Sequence, residues 1–175
     1  DIAQNKLSDK VIDPLPLGLP RTLRGEEAIE ATYEALRNSV KRRLVADVEV
    51  GCYLSGGVDS ALITALAVDL GAKPKAFTVG FMDRDFDEKD VAAKIAGHLG
   101  IPHHVCLLTG KNFLPSLVQS IVAFENPITN PHGAAKNLLS KLASEQVKVV
   151  LSGEGADEWF GGYAYLRIQK ILNFS

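Results

Sequence analysis

Four short apolar runs alternate along the chain with segments of helical periodicity, and this alternation leaves few folds open. Val48 to Leu54, "AFTVGF", "HHVCLL" and "VKVVLS" (Val147 to Ser152) each read as a strand. Ser60 to Leu70 reads as a helix with Leu62, Ile63, Leu66 and Leu70 inward, and Glu88 to Leu99 as one with Val91, Ile95 and Leu99 on one face. Two more helical segments lie near Asn112 to Phe124 and Gly133 to Ala143, and a last helix runs to the chain end. Ahead of the first strand, from Glu26 on, Ile29, Tyr33, Leu36, Val40 and Leu44 make one face of an amphipathic helix. Strands that alternate with helices require right-handed crossovers, which predicts an α/β fold with a doubly wound parallel sheet.

The first 24 residues do not share this pattern. Pro14, Pro16 and Pro20 remove amide donors and favour extended backbone, so 1–24 reads as a linker or arm from a preceding domain. Residues 25–175 then form one domain, long enough to bury a sizeable core. A net charge of −2 argues against a broadly basic nucleic-acid surface, and no apolar stretch reaches the ~18 residues of a membrane span. Cys52 and Cys106 sit inside apolar runs without a CxxC pair, which reads as buried free thiols in a reducing, cytoplasmic setting. Arg37, Lys41, Arg42 and Arg43 end the first helix, where cations complement the dipole more often than they bind phosphate.

Two loops leave the carboxyl ends of predicted strands, where doubly wound sheets bind ligands. The first is "LSGGVDS", residues 54 to 60. Gly56 and Gly57 permit close backbone approach and positive φ, the following helix offers unpaired amides, and Ser55 and Ser60 add hydroxyls. These features form a phosphate cradle without the Walker lysine or a GxGxxG. Asp59 would repel phosphate unless it holds Mg²⁺, which takes one or two carboxylates plus phosphate oxygens. The plainer alternative is an N-cap at Asp59 and an ordinary turn at the glycines. The second loop, "LSGEGADEWFGGY" from Leu151 to Tyr163, would bring Asp157 towards Asp59, a juxtaposition that calls for a shared cation. Trp159 and Phe160 read as core anchors of that loop rather than a stacking platform.

"SGGVDS" is similar to the signature of the ATP-pyrophosphatase (PP-loop) enzymes, which have the adenine nucleotide alpha hydrolase-like fold. Together with "LSGEGADEWFGGY" it resembles the synthetase domain of the glutamine-hydrolysing asparagine synthetase family, over roughly Gly25 to Arg167. "AFTVGF", "FDE" at Phe86 to Glu88 and "HLGIPHH" are softer matches. The resemblance implies ATP and Mg²⁺, with a carboxylate acceptor (aspartate) adenylated, pyrophosphate released, and ammonia from glutamine forming the amide. It implies Leu54, Val79, Ser152 and Gly153 around adenosine, and Ser55, Gly56, Gly57 and Ser60 on pyrophosphate. Asp59 and Asp157 would bind Mg²⁺, and Glu154 would serve the acyl adenylate as proton acceptor or stabilising charge. The family's glutaminase domain and later helical portion are expected elsewhere in a longer parent chain. "ENPITNPHGAAKN", where acceptor recognition is expected, lacks the family's arginine-containing pattern. A β-lactam synthetase or lasso-peptide cyclase type of amide-forming relative, or a nucleotide-binding fragment without activity, is the alternative.

Overall fold

The computed structural model describes residues 23–83, 87–126, 130–165 and 168. The proline-bearing arm, Phe86 of "FDE", 127–129 of "ENPITNPHGAAKN" and most of the last predicted helix lie outside these residues. The chain divides into two compact units, Asp1–Tyr33 and Glu34–Ser175. Of the first, the described part is residues 23–33, which open helix α1 (Gly25–Arg43). The second unit continues α1 and holds the sheet.

Its elements are β1 (Val50–Tyr53), α2 (Val58–Asp69), β2 (Lys75–Phe81), α3 (Lys89–Leu99) and β3 (His103–Leu108), then α4 (Gly110–Phe124), α5 (His132–Ser144), β4 (Val149–Leu151) and α6 (Ala156–Phe160). All pairings are parallel, in the order β3-β2-β1-β4, with Cys52 opposite both Ala76 and Leu151. The chain steps outward from β1 to β2 to β3 and then returns across the sheet to β4. The order therefore reverses between β1 and β4, as a doubly wound sheet requires.

The period of two along each strand sorts the core. Cys52 packs with Val40, Leu66 and Ala67, and Leu54 and Ala76 with Ala92 and Ala96, so these strand residues face α1, α2 and α3. Tyr53 and Phe77 point the other way, onto Leu139, Leu142 and Ala143 of α5. Cys52 is a buried free thiol pushed up to about 11 by that burial, whereas Cys106 is free and only half-buried.

Some local readings change. The first strand is shorter than Val48 to Leu54, since Val48 is exposed and the ladder begins at Val50. The last is shorter too, because the Val147 N–H donates to Ala143 O and extends the end of α5. On α3 the small residues Ala92 and Ala96 reach the core, while Val91 is exposed. Helix α4 begins two residues before Asn112, whose Oδ1 accepts the Thr109 N–H at 2.7 Å as the N3 half of a capping box. The cations Lys41, Arg42 and Arg43 do occupy the last turn of α1, and Arg37 pairs with Asp69 at 3.5 Å.

A polar chain crosses the sheet just before the first loop. The Thr78 hydroxyl donates to Leu54 O at 2.6 Å and lies 2.8 Å from His103 Nε2. A hydroxyl has one proton, so here His103 must be the donor and carry its hydrogen on Nε2. Burial, with His104 nearby, holds the His103 ring below its usual range, favouring the neutral form. Strands β1, β2 and β3 are thereby pinned where the first loop departs.

Candidate functional site

The β1–α2 loop is stitched by its own hydroxyls. The Ser55 N–H donates to Ser60 Oγ at 3.0 Å, the Gly57 N–H to Ser55 Oγ at 3.0 Å, and the two hydroxyls lie 2.9 Å apart. Neither Gly56 nor Gly57 has positive φ; the described glycines that do are Gly25, Gly71, Gly100, Gly155 and Gly161. What Gly56 supplies is closeness: a Cβ there would lie 3.1 Å from the Glu88 Cβ and 3.3 Å from the Val91 Cβ. The N-cap of α2 is Gly57, with extended backbone, so Asp59 stands in the first turn and the reading of Asp59 as an N-cap falls. The amides of Val58, Asp59 and Ser60 open α2, have no intrahelical partner, and favour an anion through the helix dipole.

The β4–α6 loop touches the first loop backbone to backbone. A Cβ on Gly153 would lie 2.8 Å from both Asp59 C and Ser60 N. The two loops thus meet at the β1/β4 reversal and share a cleft of about 460 Å³. Asp59, Ser152, Gly153 and Glu154 line it, with Leu62 and Ile63 of α2 and Leu36 and Ser39 of α1. Trp159 and Phe160 also line it and are 72% and 63% exposed, so they are not core anchors. Helix α6 has five residues between two left-handed glycines, Gly155 and Gly161, too short an element to bury both rings.

The three acids of the second loop have separate surroundings. Glu154 Oε2 is 3.2 Å from Lys136 Nζ of α5, an exposed pair that adds little stability. Glu158 accepts from the Tyr163 hydroxyl at 2.5 Å, a bond that lowers the Glu158 carboxyl and pushes Tyr163 up to about 12. Asp157 turns its carboxylate to Gly162, where a Cβ would overlap it, and does not line the cleft. Among the described residues no three His, Cys, Asp or Glu side chains converge as a metal cluster. The acidic oxygen of Asp59, exposed in the cleft, still suits a hard cation that completes its shell with phosphate oxygens.

Leu54, Val79 and the expected pyrophosphate residues Ser55, Gly56, Gly57 and Ser60 lie outside the lining of that cleft, to which the first loop contributes Asp59. The Leu54 side chain is buried, its N–H donates to Phe77 O, and its carbonyl accepts from Thr78, so neither its side chain nor its amide is open to a ligand. Val79 is half-buried on β2, opposite Cys106. The sequence places Leu36 on the apolar face of the first helix and Lys136 within "ENPITNPHGAAKN" without assigning either to this site, and gives Ser39 no role; all three come from elements outside both glycine loops.

The asparagine synthase family model matches residues 31–174, a span that includes both loops. The chain belongs to the asparagine synthase family. It is 35% identical over 142 residues to asparagine synthetase [glutamine-hydrolyzing] 1 of Bacillus subtilis, covering 81% of this chain and 22% of that protein. It is 39% identical over 132 residues to a putative asparagine synthetase [glutamine-hydrolyzing] of Mycobacterium tuberculosis, covering 75% of this chain and 20% of that protein. The chain therefore spans about a fifth of the length of these relatives. Among solved structures, NMN synthetase from Francisella tularensis superposes with a TM-score of 0.50 at 21% identity, over 77% of this chain and 58% of that one. That likeness speaks for the fold, and the asparagine synthase sheet described above agrees with the expected PP-loop architecture.

Proposed function

We propose that this chain is the nucleotide-binding part of a cytoplasmic, ATP-dependent amide-forming synthetase. The carboxylate of an acceptor, aspartate by family resemblance, attacks the α phosphorus of ATP, the α–β bond breaks, and pyrophosphate leaves. Ammonia released from glutamine by a glutaminase domain elsewhere in the protein then attacks the acyl carbon. AMP departs, the surplus proton passes to Glu154, and asparagine results. The observation that supports this reading is the backbone contact of Gly153 with Asp59 and Ser60, with Asp59 and Glu154 lining one cleft.

The physics fits the assignment. A carboxylate and a triphosphate are both anions, so their reaction needs positioning and charge neutralisation more than covalent help. The first-turn amides of α2 and the hydroxyls of Ser55 and Ser60 offer the first. Mg²⁺ held at Asp59, with Asp157 rotated off Gly162 as second ligand, would offer the second by offsetting phosphate charge. Ammonia attacks only unprotonated and becomes cationic, so a nearby carboxylate assists it.

Calorimetric titration of ATP into the full-length protein tests the nucleotide and metal assignment together. ATP should bind more tightly with Mg²⁺ than with EDTA. Equal affinities would remove Asp59 and Asp157 as a metal pair, and no ATP binding in either buffer would remove the reading itself.

A further inference from the structure

We infer that Glu88 is a positioning residue for the phosphate loop, holding Gly56 through its backbone amide; this rests on the ATP reading above. Glu88 Oε2 accepts the Gly56 N–H at 3.0 Å, across 32 residues of chain. The contact is also steric, since the absent Gly56 side chain leaves room for Glu88 and Val91 at the start of α3. Ser55 and Gly57 direct their amides to hydroxyls within the loop, so Glu88 supplies a tether from outside it.

The position of Glu88 makes the bond more telling. It is the N-cap residue of α3, yet its side chain makes no cap bond to its own helix. Asp87 takes the local work instead. Its Oδ1 accepts the Lys89 N–H at 3.3 Å and the Phe81 N–H at 3.2 Å, and its carboxylate also contacts Lys89 Nζ. Asp87 so ties the end of β2 to the start of α3, which leaves Glu88 to reach the loop. A carboxylate this close to a phosphate cradle costs some repulsion, and it also spends an amide that could have met an anion. What it secures is the direction of the loop: the Gly56 amide is held towards α3, and the open amides of α2 are left for phosphate oxygens.

The test compares Glu88→Ala and Glu88→Gln in the full-length protein, with ATP, pyrophosphate and adenosine as separate ligands. Gln keeps an oxygen for the Gly56 amide and loses the charge. Glu88→Ala should weaken ATP and pyrophosphate by ~10-fold or more, as expected for one charge-assisted bond, and leave adenosine unchanged. Glu88→Gln should stay within about threefold of the parent. Glu88→Leu, which keeps bulk without an acceptor, should repeat the Ala result and serves if Ala lowers the melting temperature. Equal weakening of adenosine would make Glu88 merely structural, and tighter ATP binding in both Ala and Gln would make it a competitor of phosphate. Either result, or no change in any variant, overturns the inference while the parent still binds ATP. A parent protein that binds neither ATP nor pyrophosphate overturns the ATP reading and this inference with it.

Discussion

Replacing Gly153 by Ala should abolish most ATP-dependent pyrophosphate exchange in the full-length protein. The added Cβ would lie 2.8 Å from Asp59 C and Ser60 N and 3.0 Å from Asp59 Cβ. The first two of those neighbours are backbone atoms in the first turn of a twelve-residue helix, so they cannot swing aside as a long side chain would. One loop has to retreat from the other. Overpacking of this kind costs about 1–3 kcal/mol of stability, which a folded domain can survive. Catalysis is less forgiving, because a displacement of ~1 Å at a reacting site can cost ~100-fold. Gly97→Ala is the matched control, since nothing lies within 4 Å of its added Cβ on α3. Gly97→Ala should be neutral or slightly stabilising, as Ala usually is in a helix interior. Exchange in Gly153→Ala within a few-fold of the parent would mean that the loop contact does not set the site.

Glu154→Gln should separate the two half-reactions. The flanking Gly153 and Gly155 leave Glu154 without bulky neighbours, and its side chain stands exposed at the cleft beside Lys136. Gln keeps the shape of the side chain and removes its charge and basicity. Adenylation, read as pyrophosphate exchange, should persist. Amide formation should slow by ~100-fold or more, within the usual range for a general base. Equal loss in both assays would make Glu154 a nucleotide-site residue, and no loss in either would return it to an ordinary solvated acid.

The sequence revealed topology well because topology rests on periodicity. "AFTVGF" and "HHVCLL" became β2 and β3 within a residue of their predicted bounds, and the alternation with helices implied parallel crossovers. The meeting of the two glycine loops followed from the same logic, since both leave strand ends at an order reversal. Contacts between distant elements left weaker traces. Nothing in "SGGVDS" shows that Gly56 is small for the sake of Glu88 rather than for positive φ, because both needs select glycine. Trp159 and Phe160 read as core by composition, yet the left-handed Gly155 and Gly161 cut their helix to five residues and leave both rings at the cleft. Lys136 lies in "ENPITNPHGAAKN", where acceptor recognition is expected, but nothing in that stretch names its partner, and only the packing of α5 beside the second loop brings it to Glu154.

The proposed chemistry turns on which bond of ATP breaks. The full-length protein, supplied with ATP, Mg²⁺, aspartate and glutamine, should release pyrophosphate and AMP in equal amounts, with one amide formed per ATP consumed. Orthophosphate and ADP as the primary products would put the cleavage between the β and γ phosphates, and would contradict a carboxylate adenylated over the α2 terminus.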